Sequence, residues 1–222
     1  GVIASGLYVW SATPDQQVLS DESHTFEEFS VIHFDSQLFY KSIQKHVFPM
    51  HQNIRAGIVP HHLLAGELIA DFFQRVTHQN YQTVILLGPN HQNIGQSTVI
   101  YSGGKWNTPL GSVNPNMEMI DPLQKLSFVT EDNQLMQQEH SVSGIMPYVA
   151  HYMPKAQIIP LVISNSMTSS EFEQLLNWLK AVAADDNVLL VGAVDFSHYL
   201  NSQEAANKDK QTQKALENFS TE

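Results

Sequence analysis

Three short apolar runs, each ending in a polar cluster that contains histidine, constrain this chain more than any other feature. Ala56-Gly57-Ile58-Val59 leads into Pro60-His61-His62, and Thr83-Val84-Ile85-Leu86-Leu87 leads into Gly88-Pro89-Asn90-His91. Val188-Leu189-Leu190-Val191-Gly192 leads, two residues on, into Asp195-Phe196-Ser197-His198. Each run reads as a short buried strand. After the first, Leu63, Leu64, Leu68, Ile69, Phe72, Phe73 and Val76 recur at helical spacing, which predicts a helix over 62–77. Strands alternating with helices imply an α/β fold: a single domain with a central mixed or mostly parallel sheet flanked by helices. Open sheets of this class bind ligands beyond the carboxyl ends of their strands. The three histidine-bearing ends are therefore expected to converge on one site, a metal site.

The rest of the chain fits around those strands. Residues 11–30 are polar, with Pro14 and His24, and read as a loop or loosely held arm. Leu38, Phe39, Ile43 and Val47 predict an amphipathic helix within 34–47, ended by Pro49. A shorter strand is expected over 98–101, then a turn at Gly103-Gly104 and a loop over 106–111 carrying Pro109. A helix is expected from 114 to about 123, and a short strand at Phe128-Val129. Residues 138–154 read as helical, interrupted by Pro147 and closed by Pro154. The strand expected over 157–163 contains Pro160, which suggests an edge or a bulge. A helix should begin at 169–171, capped by Ser169 or Ser170, with Phe172, Leu175, Leu176 and Leu179 on its core face. Residues 203–219 read as a polar amphipathic helix. Residues 1–53 are thus expected to form an arm and a helix packed on an α/β domain over 54–222. That domain stops in a helical pattern with no closing glycine or proline, so truncation at the C-terminus is expected.

At 222 residues the chain suits one domain with a sizeable core. Its 22 acidic and 11 basic residues give a formal charge of -11, which argues against nucleic-acid binding, since tracking phosphates needs a basic face. The absence of cysteine removes disulfides, thiolate ligands and cysteine nucleophiles from this segment. Residues 1–10 are apolar but too short to span a bilayer, and read as a strand or as the tail of a targeting segment. No other stretch approaches spanning length, and a cytoplasmic location is expected. There is no phosphate-binding glycine loop with a following lysine. His61 and His62 lack zinc-peptidase spacing, and Ser141 and Ser197 lack a nucleophile-elbow setting.

His61 is the first candidate metal ligand, because a neutral imidazole suits borderline metals and a following helix N-terminus disfavours its protonation, and the matching strand-end junction makes His91 the second. His62 is expected to be a hydrogen-bonding neighbour in the same cleft. Asn90 either orients a bound molecule or closes the turn on itself. Asp195 is expected to orient a ring N–H of a site histidine, or else to cap the next segment. His198 is placed to act as general acid or base. Glu139 sits at a helix start, where a carboxylate satisfies orphan N–H groups, and His140 beside it is a further catalytic candidate. His24, His33, His46, His51, His78 and His151 read as surface or interface residues.

Val59-Pro60-His61-His62, Gly88-Pro89-Asn90-His91, Glu139-His140-Ser141-Val142 with Met146-Pro147-Tyr148, and Asp195-Phe196-Ser197-His198-Tyr199 resemble, in that order, the motifs of the Memo family over roughly residues 54–219. That family includes the human mediator of ErbB2-driven cell motility and the bacterial AmmeMemoRadiSam system protein B. The resemblance implies the fold of class III extradiol dioxygenases, which use non-haem iron(II), with zinc or copper as alternative metals here. It matches His61 and His91 to metal ligands and His198 to an acid/base, with Glu139, His140 and Asp195 lining the cleft. The family's third ligand, a cysteine or carboxylate, comes from a region beyond the end of this chain, so it is not identified here. The chain departs from the family where His62-Leu63-Leu64 replaces Ala-Gly-Tyr, where Gln92 replaces a second histidine, and at Ile145. Two kinds of function follow from the resemblance. One is an iron-dependent oxidoreductase. The other is a non-enzymatic metal-binding protein that acts with a radical S-adenosylmethionine protein and an AMMECR1-like protein. A metal-independent hydrolase, or a vestigial cleft, is the third reading.

Overall fold

The computed structural model describes residues 25–44, 53–95 and 97–219. In chain order the elements are β1 (Glu28–Ser30), α1 (Ser36–Ile43), β2 (Ala56–Val59), α2 (Gly66–Val76), β3 (Thr83–Pro89), β4 (Val99–Tyr101), β5 (Lys105–Thr108) and β6 (Gly111–Val113). They continue as α3 (Met117–Leu123), β7 (Val129–Glu131), α4 (Asn133–Gln138), α5 (His140–Ser143), α6 (Met146–Tyr152), β8 (Gln157–Ile163), α7 (Ser169–Val182), β9 (Val188–Ala193) and α8 (Ser202–Phe219). Six strands form a mixed sheet in the order β2-β9-β3-β8-β4-β7. The first four run parallel to one another, and β4 turns antiparallel to β8. The expected α/β class with a mixed central sheet is what the chain adopts. No helix of the described residues is long and apolar enough to cross a membrane.

Both faces of the sheet are covered, which is why its central strands are unbroken apolar runs. Along β3, Val84 and Leu86 join a core cluster with Phe73, Val149, Ile158, Leu189 and Val191. Ile85 turns the other way, into a second cluster with Leu123, Ile159, Leu161, Leu175 and Trp178. Each such fully buried side chain contributes roughly 1.5–3 kcal/mol by leaving water. At Gly88 the chain needs a residue without a side chain. An added Cβ there would lie 2.4 Å from Ser141 Oγ and 3.1 Å from Val142 Cγ2, so glycine lets α5 rest directly on the end of β3.

Several local expectations are corrected. The loop expected over 106–111 is the hairpin β5–β6, and the supposed loose arm supplies β1, which pairs parallel with β5. This small sheet is held by Trp106, fully buried with its ring centroid 4.4 Å from that of Phe29. Strands of three or four residues with a single aromatic anchor leave little periodic signal. Pro160 lies inside an interior strand, not on an edge. The Ile158 amide donates to Asn114 O on the β4 side, and two residues on, the proline nitrogen faces that side before the β4 ladder starts at Leu161. Pro147 sits in the first turn of α6, where no amide hydrogen is needed. Thr168, not Ser169 or Ser170, caps α7, through a reciprocal box with Glu171. Leu64 and Leu68 are exposed, at 76% and 61%, while Ile69, Phe73 and Val76 carry the packing of α2. On α7 it is Trp178, with Leu175, that is buried, whereas Phe172 is 53% exposed. Val47, Pro49, His24, His46 and His51 lie outside the described residues.

The corrected face of α7 sets a direct comparison. Trp178→Ala empties part of the second core cluster and should cost about 3–5 kcal/mol in urea unfolding. Phe172→Ala should cost less than about 1 kcal/mol, because half the ring is already in water. Equal losses would place the α7 face wrongly.

Candidate metal centre

Because β2, β3, β8 and β9 are parallel, their carboxyl ends lie along one edge of the sheet. His61 follows β2, Asn90 and His91 follow β3, and Asp195 and His198 follow β9. Together with Ser164, which follows β8, they line an open cavity of about 640 Å³ whose walls also include Ile58, Leu87, Pro89, Ile163 and Val194. The three strand ends singled out in the sequence do face one cleft.

His61 is buried, 1% exposed. Its Nδ1 lies 3.1 Å from the Ala193 carbonyl at the end of β9, so Nδ1–H donates there and Nε2 carries the lone pair. That Nε2 has no hydrogen-bond partner. A carboxylate oxygen of Asp195 stands 3.4 Å away but off a hydrogen-bonding direction, while the other accepts the His61 backbone N–H at 3.4 Å. Burial lowers the His61 pKa, and the neighbouring His91 adds to this. The Ala193 hydrogen bond and the Asp195 and Glu139 charges oppose it without reversing it. His61 is therefore a neutral imidazole with a bare, buried nitrogen. The ring N–H that Asp195 was expected to orient is held by Ala193 instead.

His91 is fixed by Glu139. One carboxylate oxygen lies 2.8 Å from His91 Nδ1 and the other accepts the His91 backbone N–H at 3.0 Å. The same carboxylate caps α5 by accepting the Ser141 N–H at 3.0 Å. Burial would raise the Glu139 pKa, but the backbone N–H groups of Ser141 and His91 and the His91 ring together hold it below the usual carboxylate value. Ser141 Oγ donates to the Pro89 carbonyl at 3.0 Å and ties α5 to the end of β3.

His140 comes to the same place from α5. Its ring stacks on that of His91, with centroids 4.2 Å apart and planes at 26°, and meets His61 edge-on at 5.2 Å. Burial, followed by the His91 charge, lowers its pKa. His61, His91 and His140 each offer a nitrogen, and the three nitrogens lie within 4.8 Å of one another. Among the described residues this is the only cluster of histidine, aspartate and glutamate groups able to hold a metal ion. His140, a catalytic candidate from the sequence, thus offers a third nitrogen beside those of His61 and His91.

The remaining candidates divide. His62 is exposed, and its Nδ1 accepts the Leu64 N–H at 3.3 Å, capping the turn before α2; it neither joins the cluster nor lines the cavity. Asn90 is buried and closes its own turn, donating to Ile94 O at 2.6 Å. His198 is exposed at the cavity, with Nδ1 2.8 Å from Phe196 O, which leaves Nε2 free. His33, read as a surface residue, lies with its ring centroid 5.8 Å from that of His140.

The lowered histidine pKa values have a consequence for the metal-free protein. Unfolded, these rings take up protons near 6.5, the ordinary value; folded, they resist until lower pH. The unfolded state then binds more protons, so stability is lost as pH falls from about 6.5 toward the folded values, and neither ring contributes above that window. Glu139 adds a second loss below 4.5, as it protonates. Urea midpoints should fall between about pH 7 and pH 5, with a shallower slope in His61→Leu. Identical slopes would show that His61 is not held neutral.

Residues 34–222 match the model of the family described as "Memo-like protein". A "MEMO1 family protein" of Aquifex aeolicus is 30% identical over 174 residues, covering 76% of this chain and 63% of its own length. Similarly named proteins of Thermococcus onnurineus and Methanobrevibacter smithii are 27% and 29% identical, with 58% and 55% of their lengths covered. The chain thus spans about six-tenths of the length of the curated relatives it matches. The chain belongs to the Memo family.

Proposed function

We propose that His61, His91 and His140 hold a single divalent metal ion, and that the adjoining cavity is the active site of a non-haem iron-dependent oxidoreductase. The observation that carries this reading is the His61 Nε2, buried without a hydrogen-bond partner, on a ring with a nitrogen grouped within 4.8 Å of nitrogens of His91 and His140. An unpaired buried polar atom costs roughly 1–3 kcal/mol, and a metal would remove that penalty. Imidazole donors suit iron, zinc and copper alike. Iron(II) is preferred for the family's likeness in fold to extradiol dioxygenases, with zinc or copper as alternatives.

The chain's own groups define the rest of the mechanism. Ala193 O and Glu139 each hold an Nδ1–H, of His61 and His91 respectively, and so present both Nε2 atoms as ligands. Glu139 also supplies a buried negative charge that offsets part of a divalent cation's charge through His91. The apolar walls of Ile58, Leu87, Ile163 and Val194 exclude water from an organic substrate. His198, its Nδ1–H committed to Phe196 O, accepts a substrate proton at Nε2. Asp195 lines the same cavity and stands 3.4 Å from the His61 ring. Iron(II), when bound, supplies the one-electron chemistry that protein side chains lack.

A second reading draws on exposed apolar side chains beside the cleft: Ile58, Phe196, Leu200 and the 98% exposed Tyr199. Such surface suits a partner, and a radical S-adenosylmethionine protein and an AMMECR1-like protein are the partners the family association suggests. Specific capture of those two by the chain, without turnover of any aromatic diol, would favour it.

Metal analysis of protein prepared anaerobically with iron(II) tests the first reading. Wild type should bind about one iron per chain. His61→Ala, His91→Ala and His140→Ala should lose most of it, while His198→Ala should keep its iron but lose turnover. Full iron occupancy in the His61→Ala/His91→Ala double variant would sink the proposal.

A further inference from the structure

The arm that precedes the family-matched residues runs along α4. Glu27 accepts from Asn133 Nδ2 at 2.7 Å, the Ser30 carbonyl accepts from Gln137 Nε2 at 2.7 Å, and His33 Nε2–H donates to the Gln138 carbonyl at 2.9 Å. Arm residues 27, 30 and 33 thus pair in turn with 133, 137 and 138. The arm is itself anchored: β1 pairs with β5, and Phe29 packs on Trp106. Its last contact falls on the residue that ends α4. The next two residues, Glu139 and His140, form the elbow between α4 and α5 and serve the histidine cluster. His33 also meets His140 directly, ring edge to ring face at 5.8 Å and 62°.

We infer that residues 27–33 act as a strap that sets the α4–α5 elbow, and that His33 is a positioning residue for His140 and Glu139. The inference rests on the metal-centre reading above. His33 has one nitrogen committed to Gln138 O, and it is not among the three nitrogens grouped within 4.8 Å, so it acts through its neighbours and not as a ligand. Three features make the elbow dependent on it. α5 is a single turn of four residues. Glu139 has extended backbone angles, φ -82° and ψ 110°; its N–H closes α4 on Leu135 O and its carbonyl opens α5 by accepting the Ser143 N–H, so the two helices are joined through this one non-helical residue. The His140 ring is partly exposed, with 43% of its side chain in contact with solvent, so packing alone leaves one side of it open. The His33 ring edge stands near it, and the Gln138 bond holds the backbone just before it.

Cobalt(II) titration of the full chain, read by visible d–d absorption, tests this. His33→Ala and His33→Phe remove the donor to Gln138 and should weaken cobalt binding about 10- to 100-fold, the usual effect of losing a group that orients a ligand. Both should also alter the d–d band, which reports ligand geometry. His33→Gln keeps an N–H donor of similar reach and should restore both affinity and band toward wild type. Thermal unfolding of the metal-free variants checks folding; should His33→Ala fail to fold, the Phe and Gln variants, closer to His in bulk, carry the comparison. Wild-type affinity and spectrum in His33→Phe would overturn the strap alone, as would a His33→Gln variant as weak as His33→Phe. No cobalt binding by wild type would overturn the metal-centre reading, and the strap with it.

Discussion

One buried carboxylate organises the histidine end of this molecule. Glu139 accepts three N–H groups: the His91 backbone, the His91 ring and the Ser141 backbone. Hydrogen bonds to a charged group contribute about 1.5–3 kcal/mol each, and burying that charge unpaired would cost several kcal/mol. The three donors are therefore a condition for Glu139 being where it is. They also join three things that need not otherwise meet: the loop after β3, the start of α5, and the rotamer of a histidine in the cluster. Helix capping and the orientation of the His91 ring are one interaction here.

The sheet decides which residues that interaction can gather. With β9 inserted between β2 and β3, the chain brings together ends that are far apart in sequence. Residues 61, 91 and 195 reach one edge because parallel strands share a direction and their carboxyl ends must lie together. His140 arrives differently. It comes from a helical turn laid on β3, which Gly88 permits by leaving room for Ser141. The centre thus joins two strand ends to one helix. Burial, nearly complete for His61 and partial for His140, lowers both ring pKa values, with each other and His91 as nearest rings.

Legibility followed signal length. The seven-residue strands β3 and β8 and the six-residue β9 stand out as apolar runs, because strands buried on two faces need no alternation. The hairpin β5–β6 and strand β1 do not, since their stability rests on Phe29 meeting Trp106 across 77 residues of chain. The face of α7 is displaced for a related reason: Phe172, Leu175, Leu176 and Leu179 fit a helical stripe, but the second core cluster takes Leu175, Leu179 and Trp178 and leaves Phe172 exposed. At the site, the histidines at strand ends could be picked out as candidates. That His62 caps a turn, and that a backbone carbonyl instead of Asp195 holds the His61 ring, could not.

The sequence by itself determined the α/β class, the strand-end setting of His61, His91 and His198, and the family, because apolar runs and short motifs are local and survive in one dimension. Tertiary structure alone decided that His140 supplies the third nitrogen, that His33 reaches it, and that Glu139 serves two elements at once. Those are distances and angles between residues separated by up to 107 positions in the chain. They depend on the register in which strands pair and on how closely α5 lies on β3. Neither is encoded in any single stretch; both emerge only when the two core clusters pack.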